Sequence, residues 1–231
     1  IKLIPNYGDA YFNRGLAKRR LKDYNGAILD YTKAIEINPN DASAYYNRGN
    51  TKTNLKDFKG AISDYTKAIE INPNYGNAYH NRGIRKKKLK DYNGAIDDFT
   101  KAIEINPNFA QAYYNRGNTK TNLKDYNGGI SDYTKAIEIN PNFAQAYYNR
   151  GLAKENLKDY NGAIADYTEA IKLIPNYTTA YFNRGLAKRR LKDYYGAILD
   201  YTKAIEINPN YGDAYYNRGN TKTNLKDFKG A

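Results

Sequence analysis

The sequence predicts an all-α array of stacked helix pairs. A 34-residue period runs through the chain, and each period sets its apolar residues at helical spacing. One proline per period then fixes where the second helix of each pair must stop.

Pro5, Pro39, Pro73, Pro107, Pro141, Pro175 and Pro209 are separated by 34 residues, as are Gly15, Gly49, Gly83, Gly117, Gly151, Gly185 and Gly219. The expected organisation is a single array over 1–231. Residues 1–9 end a preceding repeat, 10–43, 44–77, 78–111, 112–145, 146–179 and 180–213 are full repeats, and 214–231 is a partial one. A longer period of 170 residues lies on top, since AYFNRGLAKRRLKDY at 10 returns at 180. Such fidelity marks recent block duplication, so a residue present in every repeat counts as one observation. The opening IKLIPNYGDA reads as mid-domain sequence, and Ala231 corresponds to Ala197, ahead of ILDYTKA. The expectation is a fragment cut within a helix at both ends, without the polar caps that repeat arrays normally need.

In the second repeat, Ala61, Ile62, Tyr65, Ala68 and Ile69 form one apolar helical stripe. Asp57 is placed to cap its start, and Pro73 with Asn74 ends it. An earlier helix is expected over about Ala44 to Leu55, with Gly49 in its middle. Glycine there costs roughly 1 kcal/mol relative to alanine, which points to a close approach of the second helix, with Ala61 as the small facing residue. Helices this short are marginal alone, so stability must come from stacking.

These residues resemble the tetratricopeptide repeat family: Tyr45, Gly49, Ala61, Tyr65, Ala68 and Pro73 match its 34-residue pattern by type and spacing. The resemblance implies an α-solenoid of antiparallel helix pairs wound into a right-handed superhelix, with the first helices lining a concave groove. Two departures recur. Arg48 stands where the family usually has Leu, and Lys52 where it usually has Tyr. A desolvated arginine needs a partner, and Asp64 is the candidate. The same pairing is expected for Arg14 with Asp30, Arg82 with Asp98, Arg116 with Asp132, Arg150 with Asp166 and Arg184 with Asp200.

Composition removes several function classes. There is no Cys, so disulfides, thiolate metal sites and cysteine nucleophiles are excluded, and the compartment stays open. The one histidine, His80, rules out a His-rich metal centre. No nucleophile constellation or phosphate loop is present, so neither catalysis nor a cofactor is expected. No apolar run reaches the ~18 residues of a membrane span. A net charge of +13 points to acidic partners without choosing among them.

The groove implied by the resemblance would be lined by three series on the first helices. Aromatic or histidine residues come first: Phe12, Tyr46, His80, Tyr114, Tyr148, Phe182 and Tyr216. Beside them runs an asparagine series, Asn13, Asn47, Asn81, Asn115, Asn149, Asn183 and Asn217, whose amides can pair with a peptide backbone. Such a ladder has this role in the O-GlcNAc transferase array of the same family. The next place alternates apolar residues with Asn50, Asn118 and Asn220. A basic edge follows in Arg19, Arg20, Lys87, Lys88, Arg189 and Arg190, with Glu155 as an acidic exception. The family's two-carboxylate clamp fits poorly, because its lysine places hold aromatics, Ser43, Asn77 or Gln111.

The leading functional expectation is a non-catalytic scaffold that binds an extended, possibly acidic peptide or a partner helix. A structural superhelix assembled head to tail through uncapped ends is the alternative. Single-stranded nucleic acid ranks third, because the recurrent cations Lys52 and Lys56 are expected to face away from Tyr46.

Overall fold

The computed structural model describes residues 7–225. The chain falls into two compact units, Ile1–Thr119 and Lys120–Ala231. In the first lie α1 (Gly8–Arg20), α2 (Tyr24–Ile37), α3 (Ala42–Asn54), α4 (Phe58–Ile71), α5 (Gly76–Lys88), α6 (Tyr92–Ile105) and most of α7 (Ala110–Asn122). The second holds α8 (Tyr126–Ile139), α9 (Ala144–Asn156), α10 (Tyr160–Leu173), α11 (Thr178–Arg190), α12 (Tyr194–Ile207) and α13 (Gly212–Asn224). Among the described residues every element is a helix, and consecutive helices pack as pairs. The expected cuts within a helix at the two ends fall on residues 1–6 and 226–231, outside the described residues.

Local chemistry sets the boundaries. Asp57 caps α4 by accepting from the Gly60 N–H at 2.9 Å, and the equivalent aspartates cap α2, α6, α8, α10 and α12. Asn72, which precedes Pro73, ends α4 in an extended conformation (φ −127°, ψ 92°), as steric conflict with the proline ring requires. Its side chain accepts from the Asn74 N–H at 3.1 Å and closes the turn. The link within each pair is tighter: Lys56 takes φ 63°, and the Asp57 N–H returns to the Lys52 carbonyl at 3.0 Å. Lysine holds this left-handed place in all six described links, where glycine would be the unstrained residue.

Packing repeats with the sequence. Tyr65 and Ala61 are fully buried, and Ala68, Ile69 and Ala78 carry the core from one pair into the next. The close approach at Gly49 is real, but its principal neighbour is not Ala61. A Cβ there would lie 2.8 Å from Tyr65 Cε1 and 3.3 Å from the Ala61 carbonyl oxygen. The glycine makes room for a ring edge-on to the helix backbone. Gly49→Ala is therefore expected to lower stability by about 1–3 kcal/mol through overpacking, despite its gain in helix propensity. Chemical denaturation of the wild type and the variant checks this.

Candidate functional site

Each pair is held together by a buried carboxylate. Asp64 is 2% exposed and accepts from Arg48 Nε at 3.0 Å and Arg48 Nη2 at 2.7 Å. Lys52 Nζ adds a third contact at 2.8 Å. The arginine also reaches backwards, donating Nη1 to the Thr32 hydroxyl of the preceding pair at 3.0 Å, and lies over the Tyr45 ring. The expected ion pairs are present at Asp30, Asp98, Asp166 and Asp200 as well. Arg116 donates to Thr100 at 3.0 Å, and Lys120 meets Asp132 at 2.9 Å. The lysine at the Lys52 place is the participant that sequence reading missed. Burial pushes Asp30 up, but its bonds to Arg14 and Lys18 outweigh this and hold it below the usual carboxylate range. Its contribution to stability is thus present at neutral pH and lost as acid protonates it.

Neutralising the carboxylate leaves two cations without a counter-charge, whereas removing the lysine leaves the bidentate arginine in place. Asp64→Asn is expected to cost about 3–5 kcal/mol, and Lys52→Met less than about 2 kcal/mol. Thermal and denaturant unfolding of both variants tests the order.

Three of the asparagine series bond between neighbouring first helices. Asn81 spends both amide hydrogens, on the Tyr46 hydroxyl and on Asn50 Oδ1, each at 3.0 Å. Asn183 donates to Tyr148 at 2.8 Å, and Asn115 to His80 Nε2 at 2.9 Å. Asn47 and Asn217 fold back onto the carbonyls of Ser43 and Asp213. Asn13 is exposed, and Asn149 is half-buried.

The aromatic series is a layer of packed rings. Tyr46 meets Tyr65 at 5.9 Å between centroids and Tyr75 of the next pair at 4.8 Å. His80 with Phe109, Tyr148 with Tyr177, and Phe182 with Tyr211 repeat the second contact. Tyr75, Tyr177 and Tyr211 occupy helix N-cap positions without a side-chain cap bond. These ring partners were not anticipated, although an aromatic recurs at 34-residue spacing ahead of every first helix except α3, where Asp41 stands. Tyr114 and Phe12 are half-buried in the same layer, while Tyr216 is 70% exposed.

Beyond the rings, residues of the first helix meet the tyrosine of the second. Tyr65 donates to Asn50 Oδ1 at 2.8 Å and lies 3.3 Å from the Thr53 hydroxyl. Tyr133 lies 3.3 Å from Thr121, and Tyr167 donates to Glu155 Oε2 at 2.8 Å. Asn118 is half-buried at the Asn50 place, and Asn220 is exposed. The basic edge divides: Arg20, Lys88 and Arg190 are exposed, while Arg19, Lys87 and Arg189 are partly covered. Burial lowers the Lys87 pKa. It also lowers that of Arg85, which stands where the other pairs have Ala or Thr and rests on the Phe58 ring at 5.7 Å. A depression of about 330 Å³ in the second unit is lined by Leu152, Glu155, Asn156, Tyr160, Asn183 and Arg190.

His80 is 7% exposed, and burial pushes its imidazole down to about 4, only partly opposed by Asn81 and the Gln111 backbone. Because that value is below the ordinary 6.5, the unfolded chain takes up the proton first. This contribution to stability is full above pH 6.5 and declines as pH falls toward 4. Acidification from about pH 7.5 to about 5 should cost roughly 2 kcal/mol through this group. His80→Tyr, which keeps an acceptor for Asn115, should remove that component in pH-dependent unfolding.

Among the described residues no group of three or more His, Cys, Asp or Glu is placed to hold a metal ion, and no helix is long and apolar enough to cross a membrane.

With the paired helices, the 34-residue register and the first-helix face established, comparison with known proteins supplies the class. Tetratricopeptide repeat models match residues 8–41, 42–75, 110–143, 144–177 and 178–211, with related repeat models over 85–124 and 200–231. The chain belongs to the tetratricopeptide repeat family, whose members generally act as protein-interaction scaffolds. Among solved structures it is similar to YrrB, described as a TPR protein with an unusual peptide-binding site, at 25% identity and TM-score 0.71 over 80% of this chain and 96% of that one. It is also similar to MamA, at 28% identity and TM-score 0.67 over 69% and 93% of the two chains. PilF of Pseudomonas aeruginosa shares the fold, at 17% identity and TM-score 0.75 over 94% and 97%. No curated protein sequence matches.

Proposed function

We propose that the first-helix face of this chain is a non-catalytic docking strip for an extended peptide or a partner helix. The observation that carries the reading is where the exposed polar residues fall. In the first unit, Ser43, Asn77 and Gln111 are exposed at one place of the first helix and Arg20, Asn54 and Lys88 at another, with largely covered rings and amides between. A ring floor of this kind supplies contact area at low entropic cost, and a polar rim supplies orientation. The asparagine ladder contributes less than its count suggests, because both Asn81 amide hydrogens are already used. Asn183, on the wall of the depression in the second unit, donates to Tyr148 through one amide nitrogen, and no described bond engages its carbonyl oxygen. The peptide-binding site of the similar protein YrrB supports a peptide as the ligand class. Engagement of the Lys52-class cations with buried aspartates takes them away from any phosphate backbone, which favours protein over nucleic acid. Head-to-tail assembly depends on the chain ends, outside the described residues, and is not proposed.

Selection from a random-peptide display library on the intact chain tests the strip. Selected peptides should lose about tenfold in affinity on combined Asn54→Ala, Asn77→Ala and Lys88→Ala substitution. They should keep it on Lys67→Ala, which alters the exposed Lys67–Glu70 pair on the second helix. Sensitivity to Lys67→Ala alone would reverse the assignment.

A further inference from the structure

Two tyrosines break the pattern of the second helix. The hydroxyls of Tyr31 and Tyr201 are buried and have no hydrogen-bond partner, although both residues are fully enclosed. Their counterparts are served from the first helix: Tyr65 by Asn50 and Thr53, Tyr133 by Thr121, Tyr167 by Glu155. In the first and sixth pairs those places hold Leu16 with Arg19 and Leu186 with Arg189. Leucine offers nothing, and a guanidinium donates without accepting. Neither phenol proton therefore has an acceptor from those two places, and the second of them holds a cation. The Thr221 hydroxyl lies near Tyr201 but makes no bond to it within hydrogen-bonding geometry. Arg19 and Arg189 act electrostatically on the two phenols and have no ion pair among the described residues.

The fifth pair shows what fits. There the Arg19 place is Glu155, and its carboxylate accepts from the Tyr167 hydroxyl at 2.8 Å. A carboxylate thus reaches this tyrosine from the first-helix side. Where arginine replaces the glutamate, the same position presents two donors and wants an anion from outside. We infer that Arg19 with Tyr31, and Arg189 with Tyr201, are two copies of one docking site for a side-chain carboxylate of an acidic partner segment. The inference rests on the first-helix strip being the interaction face and names the chemistry it takes. The 170-residue duplication carries Phe12, Leu16, Arg19, Arg20 and Tyr31 unchanged into Phe182, Leu186, Arg189, Arg190 and Tyr201, so one chain presents the site twice.

Titration calorimetry of the intact chain with an end-blocked hexaglutamate peptide tests this. The expected stoichiometry is about two peptides per chain, falling to about one for Arg19→Thr, with about tenfold weaker binding for Arg19→Thr/Arg189→Thr. Threonine is the native residue at positions 53 and 121, so the fold should tolerate it. Tyr31→Phe/Tyr201→Phe leaves the charge unchanged, matches native Phe99, and should weaken binding about fivefold through the lost donor. Unchanged affinity in that variant would mean that water satisfies the phenols, and would overturn the site. So would absence of binding, or oligothymidylate binding as well as hexaglutamate with no dependence on tyrosine. None of these results bears on library-selected peptides that use Asn54, Asn77 and Lys88, so the strip stands or falls separately.

Discussion

A carboxylate buried between two helices organises this molecule. Asp64 and its equivalents sit almost out of water, where an unpaired charge would be prohibitive. The chain answers with two cations from the facing helix, Arg48 and Lys52, separated by one helical turn. That requirement fixes the rotation of the first helix about its axis, and so fixes which residues look toward the second helix and which look away. The guanidinium then does a second job. Its remaining nitrogen bonds Thr32, whose equivalent Thr66 gives its own proton to the Ile62 carbonyl and is left to accept. One arginine therefore ties a helix pair to itself and to the pair before it.

This arrangement replaces packing that an apolar residue would otherwise provide. A Leu and a Tyr at the Arg48 and Lys52 places would bury more carbon, while the ionic version gives direction, because a bidentate fork tolerates little change in angle. The asparagine bonds and ring contacts between neighbouring first helices, such as Asn81 to Tyr46 and Tyr46 to Tyr75, add a second directional layer. Stacking is thus specified by polar geometry as much as by area buried.

Much of this was legible because the repeat prints each interaction several times at constant spacing. Arg48 and Asp64 lie 16 residues apart, and that interval recurs, so a buried arginine could be matched to its acceptor without coordinates. Asp57 as a cap and Pro73 as a stop follow from local backbone chemistry. What could not be read was direction. Asn81 finds its partner in another repeat, 35 residues away, and an amide is equally suited to solvent, a peptide or a neighbouring hydroxyl. Lys52 was hidden for a similar reason: on helical spacing it belongs beside Arg48, but only the carboxylate's position shows that both turn inward. Tyr75 and Phe109 were not singled out, because each stands just ahead of a helix and the rings they meet lie one repeat back.

The division between constant and variable residues follows the same physics. Places that serve the carboxylate are constrained by a charge that cannot be abandoned, so Arg48, Lys52 and Asp64 have exact counterparts in each described pair. The place at Arg19, Thr53, Lys87, Thr121, Glu155 and Arg189 faces only a ring, which is already buried whatever lies above it. It is free to be cationic, neutral or anionic, and takes all three forms. The ring responds: where Lys87 stands the partner is Phe99, with no hydroxyl to satisfy, and where Glu155 stands it is Tyr167, with a proton to give. Arg19 and Arg189 are the exceptions, each standing at that place in a pair whose tyrosine proton finds no acceptor among the described residues. An unsatisfied donor pair at a place the scaffold leaves free to vary is where recognition has room to act.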